Sequence, residues 1–408
     1  MLELILIVLL IFSTSNVFYS YIFLFCALQP PKRQKEKAVG KINHFAIIVP
    51  AHNERKVIGY LVENLSRLNY PKEAYRIFVI ADNCKDDTEE IAKNRGAAVL
   101  SRYDDKQRGK SYAIEWALDQ LSLLDYLYDV AIILDADNLV SPNFLSVVNE
   151  RINEGAEAFQ CLVETKNLDN SWIAIGNYIT YSAINRIYQT GRDRIGIGAH
   201  LCGTGMGFTK RLLDRISWHQ NSLTEDREFT YKLTINNIRV VWIDNTTVYD
   251  EKPIKLSQSI SQQSRWVSGW AMNFKKFLIF FVASFVKKPN LIFADAIFSL
   301  IRPLFSISFL LLIPLLIIAK NSLYWIWWGS ILFVYTIYYA VGLYLNKSPF
   351  KYYLYLLLWP LLKLSSLYAM LKTLLTKRCT SWSHTPHTKG MTIEETIKNE
   401  IYGHKGRK

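Results

Sequence analysis

Two acidic pairs and one Gln/Arg/Trp cluster have residue types and spacing that suit chemistry. The first pair, Asp135-Ala136-Asp137, directly follows the apolar run 130–134. Two carboxylates one residue apart can face one hard cation, and Mg²⁺ or Mn²⁺ prefers such oxygens together with diphosphate oxygens. An acidic turn before Ser141-Pro142 is the structural alternative. The position after an apolar run favours a metal and nucleotide site.

The second pair lies in Thr224-Glu225-Asp226. A sugar hydroxyl is a poor nucleophile at neutral pH, and the carboxylate of Asp226 is a candidate general base for it. Thr followed by acidic residues also favours a helix N-terminus. Both interpretations can hold together.

The cluster Gln262-Gln263-Ser264-Arg265-Trp266 combines an amide, a fixed cation and a large aromatic ring. Arginine can hold a pyrophosphate with two hydrogen bonds, and an indole offers a flat face to a pyranose. The alternative is an Arg-Trp pair at the level of lipid headgroups.

Short apolar runs that alternate with helical spacing predict the elements that position these residues. Runs at 45–49, 76–81 and 130–134 are typical of strands, and the segments between them of helices. Repeated βαβ units imply a mostly parallel, doubly wound α/β sheet. Such sheets bind ligands beyond the carboxyl ends of their strands. His52, Glu54 and Asp82 follow two of these runs.

The composition divides the 408-residue chain into a polar middle and apolar ends. The net charge is +13, and the basic residues collect where apolar segments meet polar ones. This distribution fits binding to membrane headgroups better than binding to nucleic acid. Five widely spaced cysteines without a CxxC pair indicate reduced, structural thiols.

We therefore expect five regions. These are a retained N-terminal transmembrane helix at 1–28, a cytoplasmic catalytic domain at 40–270, an interfacial helix at 274–288, a transmembrane region at 291–376 and a basic cytoplasmic tail at 377–408. Three spans after the catalytic domain would place the tail outside, against the charge pattern. We expect one segment, 350–376, to be interfacial or re-entrant.

The ordered set Asp82, Asp135-x-Asp137, Thr224-Glu225-Asp226 and Gln262-Gln263-x-Arg265-Trp266 resembles the signature of processive family 2 glycosyltransferases. These include cellulose, chitin, hyaluronan and poly-N-acetylglucosamine synthases. The resemblance covers residues 43–270 and implies the GT-A fold, a Rossmann-like, mostly parallel sheet flanked here by transmembrane helices. It implies Mg²⁺ or Mn²⁺ as the cofactor.

The resemblance also implies roles for single residues. Asp226 matches the catalytic base, and Glu225 and Arg265 are expected as further catalytic residues. Asp135 and Asp137 match the nucleotide and metal pair. The expected substrate contacts are Pro50, His52, Glu54, Asp82, Lys110, Gly203, Thr204, Gly205, Gln262 and Trp266. The glycines serve either close approach to a sugar or tight turns.

The residues and this resemblance together imply an inverting hexosyltransferase in a bacterial-type, multi-pass cell membrane. Its expected partners are a UDP-sugar donor, a saccharide or lipid-linked acceptor and membrane lipids, without nucleic acid. The first expectation is a growing β-linked polymer of glucose or N-acetylglucosamine, and transfer to a lipid-linked acceptor is the close alternative. A non-catalytic nucleotide-binding or transport protein is the remote one.

Overall fold

A computed structural model describes residues 1–30, 40–124, 126–220, 222–376 and 390–404 of the chain. The basic cluster at 31–37 and residues 377–389 and 405–408 of the predicted tail lie outside these ranges.

Eight strands of the described chain form one mixed sheet in the order β3-β2-β1-β4-β7-β6-β8-β5. They are β1 Phe45–Ala51, β2 Tyr75–Asp82, β3 Ala98–Arg102, β4 Val130–Ile133, β5 Leu139–Val140, β6 Ala158–Thr165, β7 Met206–Thr209 and β8 Val240–Asp250.

The helices cover both faces of this sheet and continue into an apolar bundle. They are α1 Leu2–Leu28, α2 Ile58–Ser66, α3 Thr88–Asn94, α4 Lys110–Leu123, α5 Phe144–Asn153, α6 Trp172–Ala183, α7 Thr190–Ile195, α8 Lys210–Arg215, α9 Glu225–Ile235, α10 Leu256–Lys287, α11 Leu291–Ala319, α12 Ser322–Leu345, α13 Trp359–Thr376 and α14 Ile393–His404. A π-helical segment, Ile184–Gln189, joins α6 to α7.

The predicted α/β class is confirmed, because β1 pairs in parallel with β2 and β4, and β2 with β3. Successive residues of β1 point to opposite faces of the sheet. Ile47 enters the buried core on one face and Ile48 the core on the other. A sheet buried on both faces needs nearly continuous apolar strands, as the sequence has. β7 is antiparallel to both its neighbours, β4 and β6. Its first residue, Met206, therefore lies at the carboxyl end of β4.

Four helices of the described chain, α1, α10, α11 and α12, are long and apolar enough to cross a membrane. Leu6 and Leu10 of α1 pack against Leu312 and Leu316 of α11 and against Ile331 of α12. At the other end of α11, Asp295 accepts hydrogen bonds from Arg192 of α7 and Tyr19 of α1, at 2.6 and 2.5 Å. This buried ion pair joins the bundle to the α/β domain.

Two segments differ in form from the sequence expectation. The segment 274–288 is expected as a separate interfacial helix, but residues 274–287 form the second half of α10. The segment 350–376 is divided into a 3-10 helix, Phe350–Leu357, and α13, which packs along α10.

Candidate active site

A cleft lies beyond the carboxyl ends of the strands and has two kinds of wall. The sheet wall consists of residues at strand ends, and the helix wall of residues from α6 and α10. Lys110, at the start of α4, and Glu225 and Asp226, at the start of α9, lie between them. The sheet wall comprises Pro50, His52, Glu54, Asp82, Asp135, Asp137, Asp250 and Glu251, and the helix wall Asn177, Tyr181, Gln262, Arg265 and Trp266.

The ends of β1 and β2 hold the first part of the sheet wall. Asp82 is buried, and the Arg102 guanidinium donates to its carboxylate at 2.7 Å. Burial raises the pKa of Asp82, and Arg102 opposes that shift. The ring Nδ1 of His52 lies 2.7 Å from the Asp82 carbonyl oxygen, which ties the two strand ends together.

Lys110 links the two walls. Its ammonium donates to Asp135 at 2.5 Å and to the Gly203 carbonyl at 2.7 Å, and it lies 3.9 Å from Glu225. Burial lowers the pKa of Lys110, but the neighbouring Asp135 and Glu225 carboxylates outweigh it and the pKa is raised. A lysine that stays charged here offers a positive centre to an anionic leaving group.

Asp137 rests on a buried charged network that the sequence analysis missed. Lys166 donates to the Asp137 carbonyl at 2.6 Å, and the Glu251 amide donates to the Asp137 carboxylate at 2.8 Å. Lys252, only 4% exposed, pairs with Asp250 at 2.8 Å and lies 3.3 Å from the centre of the Tyr181 ring. Asp250 ends β8 and Glu251 follows it, so the strand-end rule applies to both, but the polar middle of β8 hides this strand in the sequence.

Asp226 and Glu225 lie in the first turn of α9, as the alternative of a helix N-terminus predicted. Thr224 does not cap this helix with its side chain; its hydroxyl accepts from Asn273 of α10 at 3.1 Å. Burial raises the pKa of Glu225 to about 7, against the effect of Lys110, and burial also raises the pKa of Asp226. A carboxylate with a raised pKa is a stronger base.

One side of α10 provides the rest of the helix wall. Gln262, Arg265 and Trp266 line the cleft, because residues three and four apart share a helix face. Gln263 turns away, and its amide donates to Ser259 at 2.9 Å. Asn177 and Tyr181 face the cleft from α6, again four residues apart; no motif in the sequence marked them.

The predicted loop residues Gly203, Thr204 and Gly205 divide between the cleft and the core. Gly203 has a φ of 85°, and a Cβ there would lie 3.7 Å from the Asp226 carboxylate. The Thr204 hydroxyl donates to Asn138 behind the acidic pair. Gly205 does not line the cleft: a Cβ there would lie 2.8 Å from Val248, so this glycine permits close packing of β8. All other predicted site residues border the cleft.

The family model described as "Glycosyltransferase like family 2" matches residues 43–269. Among curated proteins, the beta-monoglucosyldiacylglycerol synthase of Trichormus variabilis is 26% identical over 59% of this chain and 51% of its own length. A probable glycosyltransferase of Sulfolobus acidocaldarius is 25% identical over 70% of this chain and 63% of its own length. The chain thus spans about half to two thirds of these relatives.

Among solved structures, a mannosyltransferase of Pyrobaculum calidifontis in complex with GDP-Man and Mn²⁺ has a TM-score of 0.62 and 15% identity. The match covers 93% of this chain and 100% of that one. The similarity extends the common fold beyond the α/β domain into the apolar helices.

Proposed function

The chain belongs to the glycosyltransferase-like family 2, and we propose that it moves a hexosyl group from a UDP-sugar to a hydroxyl of a membrane lipid, with inversion. One observation carries the choice of acceptor. The helix wall comes from α6 and α10, which pack against the apolar helices α12 and α11. An acceptor that reaches Asp226 past this wall approaches from the membrane side. The Trichormus relative, a beta-monoglucosyldiacylglycerol synthase, is named for a glycolipid, which agrees with this choice.

In the proposed reaction the donor lies along the sheet wall and the acceptor along the helix wall. Asp226 takes the proton of the acceptor hydroxyl while the oxygen of that hydroxyl attacks the anomeric carbon. The bond from that carbon to the UDP oxygen breaks, and Lys110 and Arg265 stabilise the charge on UDP. One displacement converts an α-linked donor into a β-linked product.

Asp135 and Asp137 fit a divalent metal in this scheme. They present oxygen ligands only, and their charged neighbours in the cleft include Asp250 and Glu251. In the described residues no group of three or more His, Cys, Asp or Glu side chains is arranged to hold a metal ion. Mg²⁺ is commonly held by one or two carboxylates plus substrate phosphates, so two suffice. A bound Mg²⁺ or Mn²⁺ would neutralise charge on the diphosphate.

Polymer synthesis is the second candidate, and the placement of Gln262, Arg265 and Trp266 favours it. These residues of the element that resembles processive enzymes lie on one side of α10 and line the cleft. The products separate the candidates. Membranes with the chain, Mg²⁺ and radiolabelled UDP-glucose or UDP-N-acetylglucosamine should give label that is extracted into organic solvent. Label in long chains that remain in water would support the polymer instead, and no UDP release with any donor would contradict both.

The geometry of α10 supports an interfacial position for this helix, despite its length. The Lys276 ammonium lies 2.6 Å from Glu228 of α9, so α10 still contacts the α/β domain at residue 276. The residues from there to Lys287 extend about 16 Å, roughly half of the hydrocarbon core. Since α13 packs along α10, we place both at the cytoplasmic surface.

The proposed topology has three spans, α1, α11 and α12, with the α/β domain and residues 390–404 both in the cytoplasm. This arrangement removes the conflict between span number and charge. In a cysteine-free background, Lys320→Cys should react with an impermeant thiol reagent on intact cells. Lys288→Cys should react only after permeabilisation. The reverse pattern would make α10 a span.

A further inference from the structure

The C-terminal helix α14 carries its own start signal. The Thr392 amide donates to the Glu395 carboxylate at 2.9 Å, and the Glu395 amide donates to the Thr392 hydroxyl at 3.2 Å. This reciprocal pair is a capping box, which fixes where a helix begins. Residues 392–395 therefore specify a helix, although the chain before Gly390 lies outside the described ranges.

The apolar side of α14 covers one corner of the sheet. Ile393, 8% exposed, and Ile397 pack against Leu139 of β5 and Tyr249 of β8. Leu139 and Tyr249 are direct partners in the antiparallel β5–β8 ladder. β5 has two residues and is the last strand of the sheet, so few backbone hydrogen bonds hold it. The contact with α14 supports a weak edge.

A second set of contacts ties the same segment to α2. Glu394 lies 3.5 Å from the Arg67 guanidinium. Gly390 approaches Tyr60 so closely that a Cβ there would lie 2.2 Å from the ring. The segment thus contacts two separate parts of the domain, the β5–β8 corner and α2.

The covered corner is the back of the sheet wall. Asp137 precedes Leu139 by two residues, and Asp250 and Glu251 follow Tyr249 directly. The Glu251 amide donates to the Asp137 carboxylate across this corner. A shift of β5 relative to β8 would therefore move Asp137 away from the other carboxylates.

We propose that α14 is a clasp whose residues position Asp137, Asp250 and Glu251 for the nucleotide diphosphate. Ile393 and Ile397 are positioning residues, since they do not border the cleft. The proposal rests on the proposed donor site. It predicts that loss of the clasp weakens donor binding and leaves the acceptor side and the chemical step intact.

The test compares the full chain with a chain that ends at residue 389. We expect the Kd for UDP with Mg²⁺, measured by titration without acceptor, and the donor KM to rise about tenfold. The kcat and the acceptor KM should change less than twofold. A synthetic peptide of residues 390–404, added to the shortened chain, should restore UDP binding.

Single substitutions keep the test valid if the shortened chain does not fold. Ile393→Asp should raise the donor KM, and Ile393→Val should behave as wild type. Ile42→Asp is the matched control, because Ile42 is 52% exposed and does not border the cleft. Its donor KM should stay unchanged.

Two outcomes would overturn the clasp. One is equal UDP affinity in the full and shortened chains, and with it equal donor KM for Ile393→Asp and wild type. The other is a lower kcat at unchanged donor KM. A full chain that binds no UDP would instead refute the proposed donor site, on which the clasp depends.

Discussion

The two walls of the cleft are built by different rules. The sheet wall is formed by residues that follow apolar strands, and its charged groups meet charged partners at short range, as Asp82 does with Arg102. The helix wall is formed by side chains three or four residues apart on α6 and α10, with amide and aromatic groups and the guanidinium of Arg265. Local sequence pattern predicts the first kind of wall far better than the second.

The difference has a functional meaning under the proposed reaction. A nucleotide diphosphate carries negative charges at fixed positions. Carboxylates paired with cations at the ends of the strands suit it. An acceptor that comes from a membrane is mostly apolar, and helices packed on the apolar bundle suit it. Asp226 and Lys110 lie where the two walls meet. Changes in the two walls should therefore affect different kinetic constants.

The largest effect is expected at the boundary between the walls. Asp226→Asn removes the proposed proton acceptor, and kcat should fall about 1000-fold while the Kd for UDP stays within twofold. Asp214→Asn is the control, since Asp214 lies on the surface paired with Lys210. Turnover by Asp226→Asn equal to that of wild type would remove Asp226 from this role.

A change in the sheet wall should affect the donor alone. Asp137→Asn should weaken UDP binding in the presence of Mg²⁺ by at least about tenfold, because it removes one of the proposed metal ligands. Chelation of the metal should bring wild type and variant to the same Kd in the titration. Asp244→Asn, at an exposed position on β8, should match wild type. A wild-type Kd for UDP that does not change when the metal is chelated would contradict the metal site.

The ionisation of Glu225 sharpens the comparison through stability. Its pKa is raised from 4.5 to about 7 in the folded chain, so the folded state binds more protons between these pH values. Its contribution to the free energy of unfolding is fully present below about pH 4.5 and falls by up to about 1.4 kcal/mol per pH unit as the pH rises through about 7.

Glu225→Gln removes this dependence. The Tm of the variant minus that of wild type should therefore increase from pH 5 to pH 8 in thermal unfolding. Glu157→Gln, at a surface ion pair with Arg215, should show no such trend. A constant Tm difference across this range would show that Glu225 ionises as it does in the unfolded chain.

The smallest effects are expected on the helix wall. Trp266→Ala removes an aromatic face and should raise the acceptor KM about 3- to 10-fold with the donor KM unchanged. Trp172→Ala is the control on α6, because Trp172 is 37% exposed and does not border the cleft. A rise in the donor KM instead would mean that the walls do not divide the substrates.

Much of the α/β domain was predictable from the sequence. Strand positions follow from short apolar runs, and Asp82, Asp135 and Asp137 were placed by the rule that ligands meet the carboxyl ends of strands. Asp250 and Glu251 obey the same rule but were missed, because β8 was not recognised as a strand. Lys166 and Tyr181 could not be found, since their contacts join segments distant in sequence.

The sequence by itself determined the strand-and-helix alternation, the acidic strand ends and the apolar ends of the chain, because each is a local pattern of residue types. Only the tertiary structure decided that Gly205 packs against β8 instead of bordering the cleft, that α10 contacts α9 at Lys276, and that α14 covers the β5–β8 corner. An apolar helix has the same local pattern on a protein, at an interface or in lipid. What distinguishes these positions is the set of long-range contacts, which forms only when the whole chain is folded.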